Sequence, residues 1–212
     1  MPTLELDTPR GRARAHLHQA DAPIAALVLG HGAGGGVAAP DLVAATKVAQ
    51  SEGVSVALVE QPYRVAGRRS PPAARQLDTA WIAVVDALGR DALAGLPLLV
   101  GGRSSGARVA CRTAGVTGAV GVLGLAFPLQ PPRRGEAAPA PSRLPELEAV
   151  TVPVLVIQGA RDPFGMPPPG PDRTVVTVAG DHSLRADLPA VADDVRAWLP
   201  SVLAQAGVAL GH

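Results

Sequence analysis

The stretch LLVGGRSSGARVA, Leu98–Ala110, decides how this chain is read. Leu98, Leu99 and Val100 make a short apolar run suited to a buried strand, and the residues from Ser105 to about Thr113 read as a helix. Between the two, Gly102-Arg103-Ser104-Ser105-Gly106 fits the pattern G-x-S-x-G. A serine nucleophile must project from a sharp, strained turn that frees it from the sheet. Small residues two before and two after it let strand and helix approach closely. Ser104 has glycine at both places, whereas Ser105 has Arg103 and Ala107, and an arginine would crowd the turn. Ser104 is therefore the candidate nucleophile.

A serine hydroxyl is a weak nucleophile at neutral pH. It needs a base, and the base needs an acid to orient it. Asp162 follows VLVIQGAR and His182 follows TVVTVAGD. Each stands just beyond an expected strand, at the carboxyl edge where open parallel sheets gather their functional groups. Competing residues are less well placed. Asp181 adjoins His182, and adjacent side chains seldom meet well. No acid immediately follows the strand expected to end at Phe127. His16 and His18, two apart on one strand face, suit a metal, but no third ligand accompanies them, and they read as half-exposed hairpin residues. His31 and His212 lack the position of a base. Cys111 lies inside the helix after the turn and reads as a small buried residue.

Working outward, short apolar runs alternate with helix-like segments. Thr3–Asp7 and Ala13–Gln19 flank a Pro9-Arg10-Gly11 turn and read as a hairpin. Strands are expected over Ala25–Gly30, Val54–Val59, Leu96–Gly102, Gly118–Phe127, Val152–Gly159 and Arg173–Gly180. Helices are expected over Pro40–Glu52 and Ala73–Leu88, where Leu77, Trp81, Val84, Val85 and Leu88 recur at helical spacing. A last helix presents Leu188, Val191, Val195, Trp198 and Val202, with Pro200 expected to bend or end it. The proline-rich stretch Pro128–Val150 leaves little room for helices and is expected to form a short extended cover over an open cleft. The whole predicts a mostly parallel eight-stranded α/β sheet with helices on both faces and one domain over residues 1–212.

Composition bounds the function. Aromatic residues are only 2%, so Ala, Val and Leu must fill the core and line any pocket. Net charge is +1 and no basic stripe interleaves with aromatics, which argues against a nucleic-acid partner. The single cysteine excludes an internal disulfide and suits a reducing compartment. The first residues, MPTLELDTPRGR, lack the apolar core of a signal peptide. The longest apolar stretch, VTGAVGVLGLAF, falls short of the roughly 18 residues that a membrane span needs. A cytoplasmic protein without a membrane partner is expected.

A second glycine-rich stretch, LVLGHGAGGG, Leu27–Gly36, fits the dinucleotide fingerprint at Gly30, Gly32 and Gly35, and the next strand even ends in an acid, Glu60. In that fingerprint the helix starts within the glycines, so that its N-terminus meets the pyrophosphate. Here Val37, Ala38 and Ala39 intervene before Pro40. The loop is too long for that role, Glu60 reads as an exposed strand-end residue, and no cofactor is expected. Arg64, Arg68, Arg69, Arg133 and Arg134 read as solvated loop charges, while Arg103, inside the turn, must lie near the site.

HGAGGG, GGRSSG, QGARDPFG and GDHSL together resemble the α/β-hydrolase superfamily. They are most similar to its short, capless branch of dienelactone-hydrolase-like and testis-expressed-protein-like hydrolases, to which EQPYRVAGRR and AFPLQPP are also similar. The resemblance spans roughly Ala25 to Trp198. It implies an α/β-hydrolase fold without a cap domain, with Ser104 as nucleophile, His182 as base and Asp162 as orienting acid. It also implies that the backbone N–H groups of Ala33 and Ser105 form the oxyanion hole. Dienelactone hydrolases carry a cysteine where this chain has Ser104, so their particular substrate does not carry over. The expected function is a serine hydrolase of carboxylesterase or thioesterase type, acting on a small-molecule ester without cofactor or metal. Because a chromatin-complex subunit contains a similar domain, the alternative is a non-catalytic interaction module of the same fold.

Overall fold

The structure is a computed structural model and describes residues 2–131 and 140–208. Its fourteen helices and strands follow the expected alternation. In chain order they are β1 (Thr3–Thr8), β2 (Gly11–His18), β3 (Ala25–Gly30), α1 (Pro40–Ser51), β4 (Val54–Glu60), α2 (Pro62–Val65), α3 (Ala74–Arg90), β5 (Leu98–Arg103), α4 (Ser105–Thr117), β6 (Gly121–Leu125), α5 (Leu144–Glu148), β7 (Val154–Gly159), β8 (Arg173–Val178) and α6 (Leu188–Gln205).

The strands form one eight-stranded sheet in the order β1-β2-β4-β3-β5-β6-β7-β8. The hairpin strands pair antiparallel, β1 with β2 and β2 with β4, and every other pairing is parallel. In β3 every residue is buried, as a strand covered on both faces requires. Its side chains alternate between two cores. Ala26 and Val28 join a core with Leu77, Trp81, Val84 and Leu88 of α3 and with Val109 and Ala110 of α4. Leu27 and Leu29 join the opposite core with Leu42 and Ala45 of α1 and with Val191, Val195 and Leu199 of α6. The five apolar positions that predicted α3 are all buried in it.

From β3 the chain builds outward on one side through β4, then returns to build outward on the other side through β5. Ligand sites of open α/β sheets form at the carboxyl ends of strands beside such a reversal. Gly30 of β3 is paired there with Gly102 of β5.

Three expectations need correction. The stretch Pro128–Val150 is not wholly extended, because Leu144–Glu148 forms the short helix α5. Pro145 falls in its first turn, where proline is tolerated, Leu147 is buried, and Glu146 takes both Arg108 and Arg112 of α4. Pro200 does not end α6, which continues to Gln205. The hydrogen bond that Pro200 forgoes is outweighed by the burial of Leu199, Val202 and Leu203 around it. The strand expected from Gly118 starts at Gly121, since Gly118 is the left-handed cap of α4. The described residues carry no cap domain, and no helix among them is long and apolar enough to cross a membrane.

Candidate active site

Ser104 stands between β5 and α4 at φ 52° and ψ −109°, a conformation that side-chain-bearing residues avoid. Its strain is supported from both sides. A Cβ on Gly102 or on Gly106 would run into the carbonyl oxygen of Gly30, so both flanking glycines are demanded by the approach of β3. The Ser104 N–H is held by the Leu125 carbonyl at 2.9 Å. Two more non-glycine residues have positive φ among the described residues, Ala126 after β6 and Leu184 after β8, and both are fully buried near the same edge.

The structure brings Ser104, His182 and Asp162 together. His182 Nε2 lies 2.9 Å from Ser104 Oγ, and His182 Nδ1 lies 2.8 Å from Asp162 Oδ2. The carboxylate can only accept, so Nδ1 carries the proton and Nε2 is free to accept from the serine hydroxyl. The Phe164 ring packs against the imidazole with centroids 4.4 Å apart. Asp181, the neighbouring acid, turns away and binds the Ser183 N–H and hydroxyl.

Asp162 is almost wholly buried, and its oxygens are well supplied with donors. Oδ1 accepts from the Phe164 N–H at 2.9 Å, and Oδ2 accepts from Gln158 Nε2 at 2.9 Å as well as from His182. Gln158 was missed from sequence. It is fully buried in β7, and its amide also faces the Phe127 and Gly165 carbonyls. The signal was there, a glutamine inside the otherwise apolar run VLVIQG.

The glycine loop after β3 is fixed by two side chains. His31 Nδ1 donates to the Gly32 carbonyl at 2.8 Å, and His31 Nε2 accepts the Gln61 N–H at 3.1 Å. These partners demand a neutral ring, and burial lowers the His31 pKa in the same direction. The Tyr63 hydroxyl donates to the Ala33 carbonyl at 2.7 Å. In a trans peptide the N–H points opposite to the C=O. Holding the Gly32 carbonyl on His31 therefore also sets the direction of the Ala33 N–H. Among the described residues neither the Ala33 N–H nor the Ser105 N–H has an acceptor, and the Ser105 N–H opens the N-terminus of α4.

The remaining candidates lie as follows. His16 and His18 are half-buried, with His16 Nε2 3.5 Å from Glu60, and no group of three or more potential metal ligands exists among the described residues. Glu60 is half-buried beside His16 and Arg14 rather than free in solvent. Cys111 is buried and its thiol is pushed up to about 12 by desolvation, which leaves it unreactive. Arg68 and Arg69 are exposed and Arg64 is half-buried, while Arg133, Arg134 and His212 lie outside the described residues. A cleft of about 330 Å³ runs beside Arg103, between Gly35 and Gly36 on one side and Ser183 and Arg185 on the other. Neither this cleft nor a groove of similar size at the hairpin tip, lined by Arg10, Tyr63 and Arg68, has Ser104 or His182 in its lining.

Comparison with known proteins agrees with this architecture. Residues 23–187 match the family described as alpha/beta hydrolase domain, and the chain belongs to that family. No curated protein matches it. Among solved structures it is similar to Est1E from Butyrivibrio proteoclasticus, with 15% identity and a TM-score of 0.77, over 96% of this chain and 100% of that one. It is similar to dienelactone hydrolase from Anabaena variabilis, with 16% identity and a TM-score of 0.73, over 94% and 96%. It is also similar to XC6422 from Xanthomonas campestris, described as an α/β serine hydrolase without lid, with 20% identity and a TM-score of 0.69, over 94% and 95%. At these identities the likeness is one of fold.

Proposed function

We propose that this α/β-hydrolase-domain protein is a serine hydrolase that cleaves carboxylic esters or thioesters through an acyl-enzyme. The supporting observation is the unbroken hydrogen-bond relay from Ser104 through His182 to Asp162, at 2.9 and 2.8 Å.

In this reading Ser104 Oγ attacks the acyl carbon while His182 Nε2 takes its proton. Asp162 keeps the proton on Nδ1 and stabilises the imidazolium. The Ala33 and Ser105 N–H groups receive the oxyanion, aided by the N-terminal end of α4. Removing one such donor in a well-studied enzyme costs about 2.7–4 kcal/mol. Collapse of the intermediate expels the alcohol or thiol, which leaves with the proton from His182. Water then gives a proton to His182 and attacks the acyl-enzyme, and the carboxylic acid departs as Ser104 regains its hydrogen. No metal or cofactor enters any step. We take residues 1–212 as one domain that works in the cytoplasm on a small-molecule ester.

The experiment is labelling with a fluorophosphonate probe together with hydrolysis of a panel of short-chain esters and thioesters. The expected result is labelling and turnover by the native protein and neither by Ser104→Ala. Equal labelling of both, or of neither, overturns the reading. A stable protein partner without turnover would then favour the interaction module.

A further inference from the structure

The arginine next to the candidate nucleophile makes contacts that none of the roles above requires. Arg103 leaves β5 one residue before Ser104, and its side chain is mostly buried. Its Nη2 donates to the backbone carbonyl of His182 at 2.9 Å. Its Nε lies 3.0 Å from Oδ2 of Asp41, a fully buried residue in the first turn of α1. Its Nη1 passes against the glycine loop, where a Cβ on Gly32 would lie 2.9 Å from it.

One guanidinium therefore spans the nucleophile turn, the base loop, the glycine loop and the start of α1. We propose that Arg103 is a positioning residue that fixes the His182 main chain, and so the Ser104–His182 distance, with buried Asp41 as its counter-ion. The proposal rests on Ser104 and His182 being a nucleophile and its base.

The chemistry favours arginine over lysine at this place. Nε and Nη2 are separate donors held in one plane, so one group serves Asp41 and the His182 carbonyl at once. A lysine has a single nitrogen and meets one or the other. Asp41 has few other partners. Its Oδ1 accepts from the Leu42 N–H at 3.0 Å, and its Oδ2 has the Arg103 contact without a well-aligned hydrogen bond. Burial raises the Asp41 pKa and the Arg103 charge opposes that rise. The buried carboxylate holds the guanidinium in place because it has no better partner. Anchoring the carbonyl of His182 restrains the Cα from which the imidazole swings. No other side chain among the described residues bonds that carbonyl.

The test compares the native protein with Arg103→Lys and with the double variant Arg103→Gln plus Asp41→Asn, which leaves no unpaired buried charge. One readout is steady-state hydrolysis of p-nitrophenyl acetate, a small neutral ester with no charge for Arg103 to bind. The other is the low-field proton NMR signal of His182 Nδ1–H, assigned by its loss in His182→Gln. We expect kcat to fall by on the order of 10²-fold in both variants, as a misplacement of about 1 Å would cause, with KM little changed. We expect the Nδ1–H signal to shift or broaden in both. A raised KM with native kcat would make Arg103 a substrate-binding group and overturn the proposal. Native kcat with an unchanged signal would overturn it, and so would failure of both variants to fold. If native protein and Ser104→Ala are equally inert, the hydrolase reading falls, yet the Nδ1–H signal still decides whether Arg103 holds His182.

Discussion

The Tyr63 hydroxyl donates a 2.7 Å hydrogen bond to the carbonyl of Ala33, across 30 residues of chain. Burial raises the Tyr63 pKa, so the hydroxyl remains a donor throughout the neutral range. Tyr63→Phe removes that donor and leaves His31 as the side chain that hydrogen-bonds the glycine loop. The expected outcome is a loss of about 1 kcal/mol of stability and a fall in kcat of roughly fivefold at unchanged KM. Thermal unfolding and steady-state kinetics check both parts.

Gln158 acts one step further from the chemistry. Gln158→Leu deprives Asp162 Oδ2 of a donor and leaves the Phe127 and Gly165 carbonyls without that amide. The expected outcome is a fall in kcat on the order of tenfold, with a stability loss of about 1–3 kcal/mol. A native kcat in a folded Gln158→Leu would mean that the Phe164 N–H and His182 suffice to orient the carboxylate.

Gly106 lies against the Gly30 backbone, which cannot retreat without breaking the pairing of β3 and β5. Gly106→Ala is expected to lower stability by about 3 kcal/mol, at the upper end for overpacking. It should also abolish fluorophosphonate labelling, because the turn that presents Ser104 opens. Gly115, on the exposed side of the same helix, has open space where a Cβ would go. Gly115→Ala is expected to be neutral or slightly stabilising.

The buried His31 predicts an acid sensitivity. Its folded-state pKa lies below the ordinary imidazole value, chiefly through desolvation. The unfolded chain therefore binds the proton first as pH falls. The stability that His31 contributes is complete above about pH 6.5 and is lost progressively as pH drops toward its lowered value. His18 is shifted the same way by burial and by its neighbour His16. His31→Asn keeps a donor for Gly32 without a titrating group. Melting temperature measured from about pH 7.5 to about pH 5.5 should fall less steeply in that variant.

Cys111 supplies a control. With its thiol pushed up to about 12 and no exposure to speak of, it should resist disulfide reagents in the native state. Reaction should follow global unfolding, so its rate against denaturant tracks stability. Fast modification of the folded protein would mean that α4 opens locally.

Much of this was legible in the sequence because it depends on local pattern. Ala25–Gly30 reads as a buried strand from its own composition, and it is one. Ser104, Asp162 and His182 each follow an apolar run, and parallel strands deliver such positions to a common edge. The supports of that site were not legible. Tyr63 reaches Ala33, His31 reaches Gln61, and Arg103 reaches both Asp41 and His182 only after β3, β4, β5 and β8 are assembled. Nothing near them in the chain announces the partner. The misread segments have two causes: at Gly118 the capping preference of glycine prevails over the apolar run that follows, and at the prolines local preference is overruled. Around Pro200 and in α5 tertiary burial prevailed, as it did for Val202 and Leu147.

The separation of Ser104 and His182 by 78 residues has a consequence for the newborn chain. A ribosome releases the strained serine turn long before it releases the imidazole that bonds to it, and Asp162 precedes His182 by only 20 residues. All eight strands precede His182, so synthesis withholds that imidazole until the whole sheet has been made. On the proposed mechanism the nascent chain carries a serine without its base, and the Ser104–His182 hydrogen bond can form only once β8 and the loop after it have docked.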